Sequence, residues 1–425
     1  MYRRQLLQGA LLSTIAGFAS PKWAHAATDK TLVVIFQRGG CDGLNTVVPY
    51  GEDEYYRHRP SIAIAPPNPN QSRSAIRLTP FFGLHPSLTA LNDIYRQGDL
   101  AIIPTVHFPE ASRSHFVNQD MIESGATQRL NTGWLNRYLA TTQSFAGTIR
   151  GLSMGTGIAH ALRGEAKVTA IDDLNQVGLN APGDHELNLR ARMNQVYRLI
   201  VSSNPNDINR LRVHQAGNIL LDDLDLLNDI AVADPGATFN PIYLTAADYK
   251  PEYGALYPET RYGRQLRQTA QLIKADIGVE VVTVDMGGWD THSQQGGAES
   301  SGWHAQRLQE FAEGIKALYT DLGALRQQVI ILTMTEFGRT VAENANRGTD
   351  HGKASAWFVI GAPIRAGIYG DWPGLLPEQL DRGRFLAYRV DYRDILAEIL
   401  SHHFQYTQLA TLLPQYTYHP VGFWS

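Results

Sequence analysis

Asp290 and His292 stand two residues apart in Gly288-Trp289-Asp290-Thr291-His292. In extended backbone their side chains point to one side, roughly 6–7 Å apart. A carboxylate and an imidazole so spaced suit a shared metal ion or a carboxylate-oriented imidazole. The plainer alternative is a polar loop holding a satisfied His–Asp pair, but Gly287-Gly288 and Trp289 argue against a floppy solvent loop. Asp350-His351-Gly352 offers a second imidazole beside a carboxylate, with Lys353 next in line. Asp42, bracketed by glycines in Gly39-Gly40-Cys41-Asp42-Gly43, faces a ligand or forms a turn or helix cap. Glu336 and Arg339 in Thr335-Glu336-Phe337-Gly338-Arg339 supply either a structural ion pair or an oxyanion site. Ser112 and Ser114, in Ser112-Arg113-Ser114-His115, precede a helix and offer a nucleophilic hydroxyl or a helix cap. Cys41 is a weaker nucleophile candidate, since Arg38 would lower its pKa and Asp42 would raise it.

Three of these clusters close an apolar run: Thr31 to Phe36, Val279 to Met286 and Val329 to Met334. Short β-branched runs followed by glycine read as buried parallel strands. Ligands of open α/β sheets bind at the carboxyl ends of such strands. Three sequence-distant segments would thus deliver Asp, Glu and His to one edge.

Helical spacing predicts helices over Leu88–Gln97, Tyr262–Ala275, His304–Leu325 and Tyr392–His402, and Phe116, Met121 and Ile122 suggest a further one. Leu100–Pro104 and Ala356–Gly361 read as strands. The alternation argues for α/β with a mostly parallel sheet. Two amphipathic stretches with no strand between them mark a helical insertion at about 184–233, and the Pro- and Asn-rich stretch Tyr56–Pro80 reads as a surface excursion. Residues 27–425 are expected to form one domain.

The chain has 425 residues, 43% of them hydrophobic and 18% charged, ordinary for a globular protein with a large core. A formal net charge of -4 with no block of like charges excludes nucleic acid as a natural partner. Residues 1–26 read as a signal peptide. Arg3-Arg4 precedes a mildly apolar stretch and Ala24-His25-Ala26 supplies a cleavage pattern. The arginine pair resembles a twin-arginine export signal, with an ordinary Sec signal as the alternative. Passage through that machinery implies a periplasmic or extracellular protein. No later run is long and apolar enough to span a membrane, and Cys41, the lone cysteine, has no disulfide partner within the chain.

The clusters around Asp42, Ser112–Phe116, Asp290–His292, Glu336–Thr340 and Asp350–Gly352 together resemble the DUF1501 family over essentially the whole mature sequence. That family is similar to a divergent branch of the alkaline phosphatase–sulfatase superfamily. The resemblance implies an alkaline-phosphatase-like, mostly parallel sheet sandwiched by helices. It also implies hydrolysis of phosphate or sulfate esters, small or polymeric, at one or two divalent ions (Zn, Mn, Mg or Ca). Asp42, Asp290, His292, Glu336, Asp350 and His351 would form the metal shell. Ser112 or Ser114 would attack, and Arg339 and Lys353 would balance charge. Where the superfamily has an Asp-His pair this chain has Glu336-Phe337, which weakens one metal position. Neither Cys41 nor Ser112 has the context for formylglycine chemistry. The other reading is a non-hydrolytic ligand- or partner-binding protein on the same fold.

Overall fold

A computed structural model describes residues 29–109, 112–142, 149–174, 184–197, 208–231 and 249–425. The expected signal peptide, and parts of the expected 184–233 insertion, lie outside the described residues.

The centre of the fold is a nine-stranded sheet. In chain order its strands are β1 (Thr31–Gln37), β2 (Leu100–His107), β3 (Gly151–Met154), β4 (Thr169–Ala170), β5 (Val281–Met286), β6 (Val329–Met334), β7 (Ser355–Ile360), β8 (Gly367–Ile368) and β9 (Val390–Asp391). Their lateral order is β8-β2-β7-β6-β1-β5-β3-β4, with β9 also paired to β2. All pairings are parallel except those of β7, which runs against both neighbours.

Register decides where the chemistry falls. Gln37 lies beside Met286 and Phe36 beside Met334, so the three central apolar runs end level. Because β7 is antiparallel, its first residues come from that same edge, and β2 ends there too. One rim of the sheet therefore receives the loops after β1, β2, β5 and β6 and the loop before β7.

Both faces are buried, which is why the strands are apolar without alternation. On β1, Val33 and Ile35 enter one core and Leu32, Val34 and Phe36 the other. The first core is closed by helices Thr89–Gln97, Arg261–Lys274 and Trp303–Asp321, through Leu91, Leu266 and Phe311. Helices Trp134–Thr141 and Tyr392–His402 close the second, through Leu135 and Ile395. Each fully buried side chain of this kind contributes about 1.5–3 kcal/mol. The helix expected over His304–Leu325 ends at Asp321. Gly323 takes φ +51°, the left-handed conformation that stops a helix, and a 3-10 turn follows.

Helices Asp184–Tyr197 and Ile208–Ala231 pack together. Asp223 of the second pairs with Lys167 and Thr169 at the edge strand β4, while Leu226 and Leu227 join the first core.

Tyr56–Pro80 is a surface excursion only in part: residues 65–73 are exposed or half-buried, but the segment is anchored in the core on either side. Arg59 is fully buried, and Ile62, Ile64 and Ala75 are buried too. The segment carries one strand of a small three-stranded sheet, Val47–Val48, Gly83–Leu84 and Ile76–Arg77. Prolines and asparagines shape its turns, while its apolar residues pack against Leu44 and Val48.

Candidate metal centre

The loops on the rim are held together by one side chain. Arg339, buried, donates from Nε to Gly40 O at 2.6 Å and from Nη1 to Thr349 O at 3.2 Å. Its Nη2 reaches Trp289 O at 2.9 Å, Asp290 Oδ1 at 2.7 Å, and Gly39 O. The clamp needs the glycines: Gly39 has φ +123°, and a Cβ there would stand 2.7 Å from the Asp290 nitrogen. The loops after β1 and β5 therefore touch backbone to backbone.

Three imidazoles point at Asp290 from three loops. His115 Nε2 lies 3.5 Å from Asp290 Oδ2. His292 Nε2 and His351 Nε2 lie 3.0 and 3.3 Å from Oδ1, and 3.0 Å from each other. Each ring is fixed from behind. His115 Nδ1 meets Glu336 Oε1 at 2.7 Å, His292 Nδ1 meets Asp350 Oδ1 at 3.0 Å, and His351 Nδ1 meets the Arg113 carbonyl at 2.8 Å. Those three partners only accept, so each Nδ1 carries the hydrogen and a neutral ring turns its Nε2 lone pair forward.

The carboxylates have their own supports. Glu336 Oε1 also receives the Gly39 N–H at 2.8 Å and Gln119 Nε2 at 3.0 Å. Asn344 Nδ2 donates to Asp350 Oδ1 at 3.2 Å. Burial pushes the Asp290 carboxyl up, but the hydrogen bond and charge of Arg339 outweigh it and hold it below the ordinary carboxylate value. Glu336 is likewise lowered despite burial, by hydrogen bonds from His115, Gln119 and Gly39 among others. The His292 hydrogen bond lowers Asp350. The Glu336 hydrogen bond raises His115, while burial lowers His351. Ionised carboxylates, and His351 held toward its neutral form, are the protonation states that metal binding requires.

The donor geometry fits a cation. His115, Asp290 and His351 offer ligand atoms all within 4.8 Å of one another; His292 Nε2 stands outside that set of three, 3.0 Å from His351 Nε2. Tetrahedral Zn–N and Zn–O bonds of ~2.0–2.1 Å space neighbouring ligand atoms by about 3.3 Å. The separations from Asp290 Oδ1 to His292 and His351, 3.0 and 3.3 Å, are near that value, and His115 lies 3.5 Å from the other oxygen, Oδ2. A carboxylate or carbonyl behind each imidazole is the usual outer arrangement of metal sites.

Of the residues singled out from sequence, Asp290, His292 and His351 come together in this cluster. Glu336 and Asp350 stand one layer behind it. Asp42 does not join it: its carboxylate takes Arg59 at 2.6 and 2.9 Å and Gln295 at 2.5 Å, deep in the core. Arg339 is consumed by its clamp, and Lys353 by Asp381 and the Tyr388 ring. Ser112 Oγ accepts the Ser114 N–H at 3.0 Å, a local turn bond. Ser114 is the N-cap residue of helix His115–Ser124 without a side-chain bond into it, so its hydroxyl is not committed to the cap. Cys41 is buried, and burial pushes its thiol up to about 12, so it is not a thiolate. The residue missed was His115, taken from sequence only as company for the serines. Its position as the first residue of a helix, in the segment that follows β2, is the signal that marks it.

The family described as "Protein of unknown function (DUF1501)" matches residues 29–408. No curated protein matches the chain. Among solved structures, that of Ps i-CgsB in complex with k-i-k-neocarrahexaose is similar at 9% identity, covering 90% of this chain and 74% of its own. The TM-score is 0.37, too low to bear on fold or function. The family match spans nearly all the described chain, and the protein belongs to the DUF1501 family.

Proposed function

We propose that this protein is an exported, metal-dependent hydrolase of phosphate or sulfate esters, on a divergent alkaline-phosphatase-like plan. One observation carries the reading. The Nε2 atoms of His292 and His351 face each other at 3.0 Å, and the Nδ1 of each lies against an acceptor. Two lone pairs so close repel unless a cation or a proton lies between them. His115, Asp290, His292 and His351 would hold that cation, with Glu336, Asp350 and the Arg113 carbonyl fixing the rings. Three imidazoles and one carboxylate suit Zn or Mn better than Mg or Ca, which prefer all-oxygen sites.

A divalent ion here supplies positive charge toward the non-bridging oxygens of the ester as the transition state forms. Overall, water adds to phosphorus or sulfur, the bond to the ester oxygen breaks, and the alcohol leaves with a proton from that water. Ser114, beside His115 at the helix start, is the side chain available for an attacking role. Folding around the ion before transport accords with the twin-arginine pattern at Arg3-Arg4.

A second reading, ligand binding without turnover, draws on the commitment of Arg339 and Lys353 to internal carboxylates. It leaves no free cation among the predicted residues to neutralise a leaving phosphate or sulfate.

The test is metal analysis of the mature protein purified from its exported form, followed by a phosphatase and sulfatase substrate screen. About one equivalent of Zn or Mn with turnover lost in His351→Ala supports the hydrolase. Metal without turnover on any ester supports the binder. No metal, and unchanged behaviour of the Asp290→Ala and His351→Ala variants, defeats the hydrolase.

A further inference from the structure

Beside the metal centre, on the same rim, lies a cleft of about 680 Å³. Its floor comes from strand ends: Arg38 after β1, Ser153 and Met154 of β3, and Thr283 and Asp285 of β5. Its wall is helix His115–Ser124, whose first residue is the His115 imidazole of the centre. Gln119 belongs to both: it lines the cleft and donates at 3.0 Å to Glu336, the carboxylate behind His115. Phe116, the residue after His115, stands 81% exposed against the cleft. A substrate whose ester reached the centre would have its remainder here.

We infer that this cleft binds the alcohol portion of the substrate, and that this portion is a saccharide carrying no more than a light charge. The inference rests on the ester-hydrolase reading for the identity of the bond broken, though not for the binding itself. The chemistry of the walls selects the class. Side-chain hydroxyls, the carboxamides of Gln119 and Gln265, and three carboxylates (Asp120, Glu123, Asp285) line the cleft. An alkyl chain or bare aryl group would strip water from these groups and return no hydrogen bonds. A chain of hydroxyls returns them, often two to one planar group. The ring of Phe116 supplies the apolar surface on which the C–H face of a sugar ring packs.

The charge balance narrows it further. Arg38 is paired with Glu123 and Asp285, Arg129 with Asp120, and Arg261 with Asp172. A polyanion would have to displace these carboxylates. Arg163 differs: it is exposed, its Nε donates to Ile158 O at 3.3 Å, and among the described residues no carboxylate pairs with it. It offers one cation, enough for a hydroxyl pair or a single remote anionic group.

The experiment is direct binding by saturation-transfer NMR and calorimetry. The full mature protein, with metal and after chelation, meets a panel of neutral, singly phosphorylated and singly sulfated mono- to hexasaccharides. A nucleoside and an alkyl phosphate serve as controls. At least one saccharide is expected to bind, with affinity at least tenfold weaker in Phe116→Ala, regained in Phe116→Trp, and weakened in Arg163→Gln. Thermal melting verifies that each variant is folded. Preference for the nucleoside or alkyl control, absence of saccharide binding, or indifference to Phe116→Ala overturns the inference. Saccharide binding that survives chelation in a protein hydrolysing no ester sinks the hydrolase reading and leaves this one. Hydrolysis of small aryl esters with no saccharide bound does the reverse.

Discussion

His292 and His351 present their Nε2 atoms to each other at 3.0 Å while Asp350 and the Arg113 carbonyl hold their Nδ1 atoms from behind. Without a shared ion, the pair is relieved only by protonating one ring or by drawing the two apart. With an ion, the same geometry is at rest.

Metal addition is therefore expected to stabilise the fold. At a free concentration one hundred times the dissociation constant, the gain is about 2.7 kcal/mol. Thermal melting of chelated protein titrated with Zn and Mn measures it. His292→Ala and His351→Ala should abolish most of the gain, and a melting point that ignores metal in the native protein would count against the centre.

Glu336 and Asp350 act through the rings they orient. Glu336→Gln and Asp350→Asn should each weaken metal affinity by about 10–100-fold without removing a ligand. Competition against a chromophoric chelator reads this, and an unchanged constant would mean that neither carboxylate sets its ring.

Asp42 is expected to matter for stability and not for metal. It and Arg59 are both essentially inaccessible to water. Removing one partner of a buried pair costs about 3–5 kcal/mol. Arg59→Met should lower the urea midpoint accordingly, while folded protein retains its metal equivalent. Loss of metal at unchanged stability would return Asp42 to the ligand set.

Four buried histidines set an acid limit. Burial pushes His85 and His403 down to about 4, and His107 and His304 down to about 3, from an ordinary 6.5. Unfolded, they take up protons near pH 6.5; folded, they stay neutral well below it. The unfolded chain thus binds more protons across this window. Stability is full above about pH 6.5 and falls as pH drops toward the folded values, by about 1.4 kcal/mol per pH unit for each histidine. His107→Gln should flatten the slope of unfolding free energy between pH 6 and 4; an unchanged slope would show that His107 already carries a proton.

How far the sequence disclosed this follows from what each signal encodes. The α/β class and the level ends of β1, β5 and β6 were legible, because doubly buried strands are nearly uniform in composition and glycines follow them. Asp290, His292 and His351 were legible from their own neighbourhood. Asp42 was not: a carboxylate after a strand looks the same whether it faces a ligand or Arg59, and Arg59 sat in a stretch whose prolines disguised its burial. Arg339 posed the converse difficulty, since five acceptors drawn from separate loops leave no trace near position 339. His115 was overlooked because the serines around it offered a more familiar role.

The side chains of the candidate centre come from positions 115, 290, 292 and 351, and they meet only when the strand ends of β1, β2, β5, β6 and β7 lie level on one rim. No short segment of the chain contains the cluster, which spans positions 115 to 351. If the cluster holds an ion as proposed, uptake would be a late event that certifies completed topology, since a misassembled chain would not bring these side chains together.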